Sequence, residues 1–192
     1  MDKLKISIIT VSWNSKETIK NTIDSVINQT YKNIEYIIID GASTDGTVEI
    51  VKSYGSKISR FISEPDKGLY NAMNKGIGLS TGDIVGILNS DDFYIDNKVI
   101  GKVLKEFKEK QVDSLFADLV FVKPKNLDKI VRFYDSSHFN PSKFAYGWMP
   151  AHPTFFVKRE VYEKYGVFRT NFKIAADFDL LVRFLYIHKI SY

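Results

Sequence analysis

A chain of 192 residues corresponds to about one compact domain at roughly 150 residues each, large enough to bury a core without staples. Hydrophobic residues at 44% and charged residues at 26% exclude a disordered, collagenous or coiled-coil chain, and the absence of cysteine removes disulfide scaffolds, cysteine zinc sites and thiol nucleophiles. Lysine and arginine number 27 against 23 acids, a net charge of +4 that permits contact with phosphates or an anionic membrane surface and demands neither.

Met1-Asp2-Lys3-Leu4-Lys5 runs straight into an apolar strand without a secretory h-region. No window reaches the roughly 18 apolar residues of a spanning helix. The expectation is a soluble, cytoplasmic single domain.

The first half alternates apolar β-type runs with amphipathic helices. Lys5–Val11 reads as a strand, and Asn14 with Glu17 three residues on predicts a capping box opening a helix. That helix sets Ile19, Ile23, Val26 and Ile27 on one face. Ile34–Ile39 is a second strand, Thr47–Tyr54 a short helix, Ile58–Ser63 a third strand, Leu69–Leu79 a helix and Asp83–Leu88 a fourth strand. Continuous apolar strands alternating with helices predict a parallel sheet covered on both faces. In the second half, Val99–Lys110 is a charged amphipathic helix, and Ser114–Val122 and Lys129–Tyr134 read as strands about a turn at Pro124. Residues 136–153 have no period and predict a long loop. Thr154–Val157 reads as a strand and Ala176–His188 as a closing helix.

In open α/β sheets, ligands sit beyond the carboxyl ends of the strands. Those ends read Thr10–Asn14, Asp40–Gly46, Glu64–Gly68 and Asn89–Asp92, and three of the four carry carboxylates. Turn chemistry alone enriches Asp and Asn after strands, but their recurrence on one shared edge points to a site. Two nucleotide signatures are decoys. Gly41 to Gly46 has P-loop glycine spacing but lacks the lysine, and Asp45 would repel a triphosphate. Gly76-Ile77-Gly78 ends a helix instead of following a strand, which suits a helix C-cap and turn.

Asn89-Ser90-Asp91-Asp92 supplies hard oxygen ligands suited to Mg²⁺ or Mn²⁺ shared with a diphosphate; its plainer reading is the acidic start of a helix. Asp177 and Asp179 sit two apart in an apolar helix, so one can face a site while the other caps or pairs with Arg183. His152 follows the irregular loop, where a lone histidine is more often structural. Lys123, Lys125, Lys129 and Arg132 cluster as a solvated face or a surface for an anionic leaflet.

With these segments in hand, the chain resembles the family-two glycosyltransferases, enzymes of the GT-A fold. The likeness rests on Ile6–Asn14, Asp40–Gly46 (D-G-x-S-x-D-G-T), Ser63–Gly76, Thr81–Asp92 (T-G-D-I-x-x-x-L-x-S-D-D) and Ala176–Arg183 (x-D-x-D-L-x-x-R). It implies an α/β, Rossmann-like sandwich with a mostly parallel sheet, helices on both faces and a small antiparallel addition in the second half. Within one domain over 1–192, residues 1–95 would bind the nucleotide-sugar, and 96–192 would carry the acceptor side and the base. The subgroup it resembles builds bacterial capsule, exopolysaccharide or lipopolysaccharide glycans, and its members usually continue with further C-terminal helices.

By this resemblance Thr10, Val11 and Asn14 belong to the nucleotide pocket, Asp40 meets the base (usually uracil) with Asp45 nearby, and Lys67 meets the diphosphate. Asn89, Ser90 and Asp91 line the donor, and Asp91 and Asp92 hold a divalent cation, Mn²⁺ or Mg²⁺. Asp177 is the base of an inverting transfer, and His152 lines the acceptor side. Two positions depart from the pattern: Asn89 stands where Asp is common, and Ala176 where Glu is common. The implied reaction moves sugar from an NDP-sugar, UDP-linked by preference, to a glycan or lipid-linked acceptor, at the inner face of the membrane; nucleic acid is not an expected partner. The rival readings are an inactive nucleotide-sugar-binding module and a sugar nucleotidyltransferase. The second would want an arginine-bearing glycine-rich loop where Ser12–Lys16 stand.

Overall fold

The computed structural model describes residues 4–124 and 126–192. Its centre is the strand β1, Ile6–Ser12, in which every residue is buried. A strand buried on both faces needs apolar side chains in both directions, which the run Ile6, Ile8, Ile9 and Val11 provides. β1 pairs in parallel with β2 (Ile34–Asp40) on one side and with β4 (Ile84–Ile87) on the other, and β3 (Arg60–Ser63) extends the sheet beyond β2. The register runs from Ile6 opposite Ile34 to Ser12 opposite Asp40, so the polar strand ends finish level along one edge.

The helices α1 (Ile19–Ile27), α2 (Thr47–Ser53), α3 (Leu69–Leu79) and α4 (Val99–Lys110) connect or follow these strands. Alternation along β1 splits the core. Ile6 and Ile8 pack with Ile19 and Ile23 of α1 and Ile100 and Leu104 of α4. Ile9 and Val11 pack with Met73 and Ile77 of α3 and with Leu180, Leu181 and Phe184 from the end of the chain. Gly76 allows α3 to lie close on β1, since a Cβ there would come within 2.4 Å of Ile9 Cγ2. Gly76 and Gly78 therefore sit inside the helix, which runs on to Leu79, and close packing rather than capping explains the first of them.

Beyond β4 the sheet turns antiparallel. β8 (Phe156–Lys158) pairs antiparallel with β4, and β5 (Ser114–Leu115) with β8, giving the order β3-β2-β1-β4-β8-β5. The strands β6 (Leu119–Lys123) and β7 (Asn126–Tyr134) form a separate antiparallel ribbon.

Four local expectations change. The capping box is not made: α1 opens at Ile19 after Thr18, while Asn14, at φ 47°, spends its side chain on the β2–α2 loop. The run 114–122 is divided between two sheets, because the chain leaves the central sheet after Leu115; Asp118 there accepts the Ser136 N–H at 2.8 Å. The segment 136–153 is ordered by two 3₁₀ turns, Pro141–Tyr146 and His152–Thr154, and by Phe139 packing on Phe116, Phe144 and Trp148. A helix α5 (Arg159–Tyr165) lies before the closing segment, which is α6 (Ala176–Leu181) continued by a π-helical turn, Val182–Ile187. Among the described residues, no helix is long and apolar enough to cross a membrane.

Candidate active site

The site is built on the level edge of the parallel strands. At its centre Asp40 is fully buried, and its carboxylate accepts hydrogen bonds from Ser12 Oγ (3.0 Å), Ser63 Oγ (2.7 Å), the Ser43 N–H (2.9 Å) and Ser43 Oγ. A carboxylate buried this deeply is stable only with such donors. Asp40 thus ties the ends of β1, β2 and β3 together, a role its resemblance to a base-binding aspartate does not convey.

Above it two loops are laced. The Asn14 N–H donates to Ser43 Oγ (2.8 Å) and Asn14 Oδ1 accepts from the Thr44 N–H (3.0 Å). Asp45 accepts from the Lys16 N–H (2.9 Å) and from the Thr47 N–H (3.0 Å) and Oγ1 (2.6 Å), and the Thr47 hydroxyl, first among these bonds, holds its carboxyl below the usual range. Thr10 is turned away: it is fully buried, with its hydroxyl 3.1 Å from Tyr36 Oη. Val11 is likewise a core residue. The side chain standing over this edge is instead Trp13, 70% exposed, with its ring beside Gly41. Asp66 also overhangs Gly41 and accepts the Gly68 N–H at 2.7 Å, and exposed Lys67 lies on that same turn.

The end of β4 is pinned to α1. Ser90 Oγ lies 2.7 Å from Ser15 Oγ, and its carbonyl accepts from Thr22 Oγ1 at 2.9 Å. Asp91 is exposed and Asp92 half-buried. Burial pushes the Asp92 carboxyl up to about 6 and the neighbouring Asp91 charge adds to this, against a hydrogen bond from Asn89 Nδ2 at 3.1 Å. Asn89 Oδ1 is a buried oxygen with no hydrogen-bond partner among the described residues.

From Asn89 the network crosses to the second half of the chain. Asn89 Nδ2 lies 3.5 Å from His152 Nε2, and His152 Nδ1 lies 3.3 Å from Asp177 Oδ2. Tyr70, from the first turn of α3, donates its hydroxyl to Asp177 Oδ1 at 3.1 Å. Burial lowers the His152 pKa against the opposing pull of Asp177. Burial, the Asp177 charge and the hydrogen bond raise the Tyr70 pKa, keeping it a donor.

Asp177 reaches this point because Ala175, at φ 67°, turns the chain sharply into α6. Its side chain is 15% exposed. Asp179 diverges as its spacing predicts, pairing with Arg183 Nε (2.9 Å) and Arg169 Nη1 (3.2 Å). Arg183 also donates to the carbonyls of Tyr165 and Val167, both at 2.7 Å. Asp177 and His152 line, with Ile87, Phe155 and Leu180, a void of only about 10 Å³, at the lower limit for one water. A concavity of about 1440 Å³ lies elsewhere, flanked by Leu104, Lys105 and Arg159, and gathers none of these groups.

The edge therefore joins Asn14, Asp45, Asn89, Ser90, Asp91, Asp92, His152 and Asp177, with Lys67 on its rim, and leaves the side chains of Thr10 and Val11 inside. Tyr70 and Trp13 are additions that sequence reasoning missed. Tyr70 falls at an unspecified position of the Ser63–Gly76 pattern, and only its place in the first turn of α3 hints at it. Among the described residues, no three His, Cys, Asp or Glu side chains are grouped to hold a metal by themselves. Asn89 Oδ1 and the adjacent Asp91 and Asp92 do provide hard oxygen donors, one of them unsatisfied, as a divalent cation completed by substrate oxygens requires.

A mostly parallel sheet with an acidic edge, an antiparallel strand beside β4 and a small second sheet defines the GT-A class of α/β folds. The model of the glycosyl transferase family 2 matches residues 7–166, and the chain belongs to that family. It is 31% identical over 199 residues to an uncharacterized glycosyltransferase of Rickettsia typhi, covering 97% of this chain and 60% of the relative. A 99-residue stretch, 51% of this chain and 39% of the relative, is 37% identical to the Escherichia coli UDP-Glc:alpha-D-GlcNAc-diphosphoundecaprenol beta-1,3-glucosyltransferase WfaP. Among solved structures, Staphylococcus aureus TarS 1–349 in complex with UDP superposes with a TM-score of 0.75 at 21% identity, over 91% of this chain and 53% of that one. The Pyrobaculum calidifontis mannosyltransferase PcManGT, in complex with GDP-Man and Mn²⁺, superposes with a TM-score of 0.67 at 22% identity, over 88% of this chain and 49% of that one. The chain thus spans between about half and two thirds of the length of most of these proteins.

Proposed function

We propose that this chain carries the catalytic domain of an inverting, cation-assisted glycosyltransferase. It would move a sugar from a nucleotide-diphosphate sugar, UDP-linked by preference, to a hydroxyl of a glycan or lipid-linked acceptor. Surface polysaccharide synthesis at the cytoplasmic side of a bacterial membrane is the setting we infer. The observation that carries the reading is Asp177, held by Tyr70 and His152 and reached through Asn89 from the Asp91-Asp92 pair.

Asp91, Asp92 and Asn89 Oδ1 would hold Mn²⁺ or Mg²⁺, which when bound neutralises the leaving diphosphate. Lys67, exposed on the rim, would add a positive charge to that group. Trp13 offers a flat exposed ring to the nucleotide base, beside the loops ordered by Asn14, Asp40 and Asp45. Ser90 keeps the donor edge fixed on α1. Asp177 accepts the acceptor hydroxyl proton while the acceptor oxygen forms its bond to the anomeric carbon. The bond from that carbon to the diphosphate oxygen breaks on the opposite face, which inverts the centre. His152 and Tyr70 hold the carboxylate in position. The PcManGT complex with Mn²⁺ and the WfaP name support the cation and the lipid-linked acceptor, respectively.

The test is Asp177→Asn. It is expected to lower transfer by at least about 10²-fold, as for loss of a positioned base, while donor binding by calorimetry stays unchanged. Near-wild-type transfer overturns the assignment. A chain that only bound nucleotide-sugars would bind donor with Mn²⁺ and release no nucleoside diphosphate.

A further inference from the structure

The β6–β7 ribbon exposes apolar side chains on both of its faces. Directly opposed residues of an antiparallel pair share a face. Val120 opposes Phe133 and Val122 opposes Ile130 on one face, while Phe121 opposes Arg132 on the other. Ile130 is 56% and Phe133 59% exposed. The other face is cationic over aromatic, with the Arg132 guanidinium 5.3 Å from the Phe121 ring centre and 5.8 Å from that of Tyr134. Residues 119–134 hold four cations and one acid, three of the chain's four surplus positive charges; Lys125, outside the described residues, counts by sequence alone.

The neighbouring segment repeats the chemistry. Trp148 stacks on Tyr134 at 5.8 Å, the Lys143 ammonium lies 5.0 Å from the Trp148 ring centre, and Tyr146 is 88% exposed. Amphipathic rings interleaved with lysine and arginine suit a headgroup boundary, where rings sit level with the glycerol region and cations reach the phosphates. An isologous dimer through this face would bring two sets of these cations together, which argues against a second copy.

We propose that the ribbon and residues 143–148 form a docking surface for a bilayer bearing anionic headgroups. Phe121 and Tyr146 enter the boundary, and Arg132 and Lys143, grouped with them around Tyr134 and Trp148, meet lipid phosphates. The ribbon is tied to the active site at its base: Thr154 Oγ1 donates to the Ala117 carbonyl (2.8 Å) and accepts the Ala117 N–H (3.2 Å), and Tyr134 Oη donates to the Met149 carbonyl (2.7 Å). Docking would therefore present the His152 turn to hydroxyls carried on lipid. That purpose rests on the transferase reading; the docking itself does not.

The experiment is flotation of the full chain with vesicles of phosphatidylcholine alone or mixed with phosphatidylglycerol, at low and physiological salt. Binding to the mixed vesicles only, weakened by salt, is expected. Arg132→Gln should lower it about fivefold, and Phe121→Ser with Tyr146→Ser by at least about tenfold. The substituted residues are exposed, so melting temperature and donor binding should match the wild type. Absence of vesicle binding, or binding indifferent to all these changes, overturns the proposal. A dimer in sedimentation that the Phe121→Ser, Tyr146→Ser variant dissolves assigns the face to a second copy and also overturns it. Vesicle binding that follows the expected pattern without donor binding would sink the transferase reading and leave the docking surface standing.

Discussion

Tyr70→Phe isolates one atom of the site. The ring keeps its stacking on Phe168, with centroids 5.5 Å apart, and only the hydroxyl that donates to Asp177 Oδ1 at 3.1 Å is removed. A hydrogen bond to a charged group contributes roughly 1.5–3 kcal/mol, and each 1.4 kcal/mol is a factor of ten in rate when the loss falls on the transition state. An order-of-magnitude fall in kcat is the expected outcome, with donor KM unchanged within about twofold. The assay is coupled detection of released nucleoside diphosphate with and without acceptor, beside a thermal melt. In a domain of this size 1 kcal/mol moves Tm by about 2–4 °C, so a structural role would show as a drop of several degrees. An unchanged kcat refutes the positioning argument, and so does a fall matched by donor KM or by Tm.

Two further predictions concern the frame. Burial raises the pKa of Glu35, but bonds from Ser7 Oγ (2.6 Å), the Thr81 N–H (2.7 Å), Thr81 Oγ1 (2.7 Å) and Lys5 Nζ (3.2 Å) outweigh it and bring its carboxyl to about 2. A carboxyl depressed on folding stabilises the native state above its unfolded value near 4.5. That stability, roughly 3 kcal/mol, is lost as pH falls from 4.5 toward 2; urea titrations across that window should show it, with Glu35→Gln flattening the slope. Gly76→Ala should lower Tm although alanine favours helices by about 1 kcal/mol, because its Cβ would meet Ile9 Cγ2 at 2.4 Å and overpacking costs about 1–3 kcal/mol; an unchanged or higher Tm would contradict the packing described.

The parallel half was legible because its signals are local. Four apolar runs, each ending in polar turn residues, fix strands and edge together, and the two-residue spacing of Asp177 and Asp179 already requires that they diverge. What the sequence did not disclose depends on partners far along the chain. Asn14 looks like a helix cap until Thr44 takes its oxygen. Asp40 reads as a ligand contact until Ser12, Ser43 and Ser63 converge on it. Tyr70 and Asp177 are 107 positions apart, and no periodicity joins them. The helix α5, at seven residues, is too short for its period to stand out, and the break between β5 and β6 falls in a run whose composition is uniformly strand-like.

The antiparallel insertion of β8 beside β4 has a consequence for the order in which the protein is made. The strands bearing Asp40, Ser90 and Asp92 can close on one another once residue 92 has emerged. Asp177 follows some 90 residues after β4 and reaches its place only once the chain has doubled back through β8 across the sheet. Non-local pairing of this kind is slow, and during synthesis it comes last. A nascent chain would thus complete the acidic strand edge around Asp40 before Asp177 joins it.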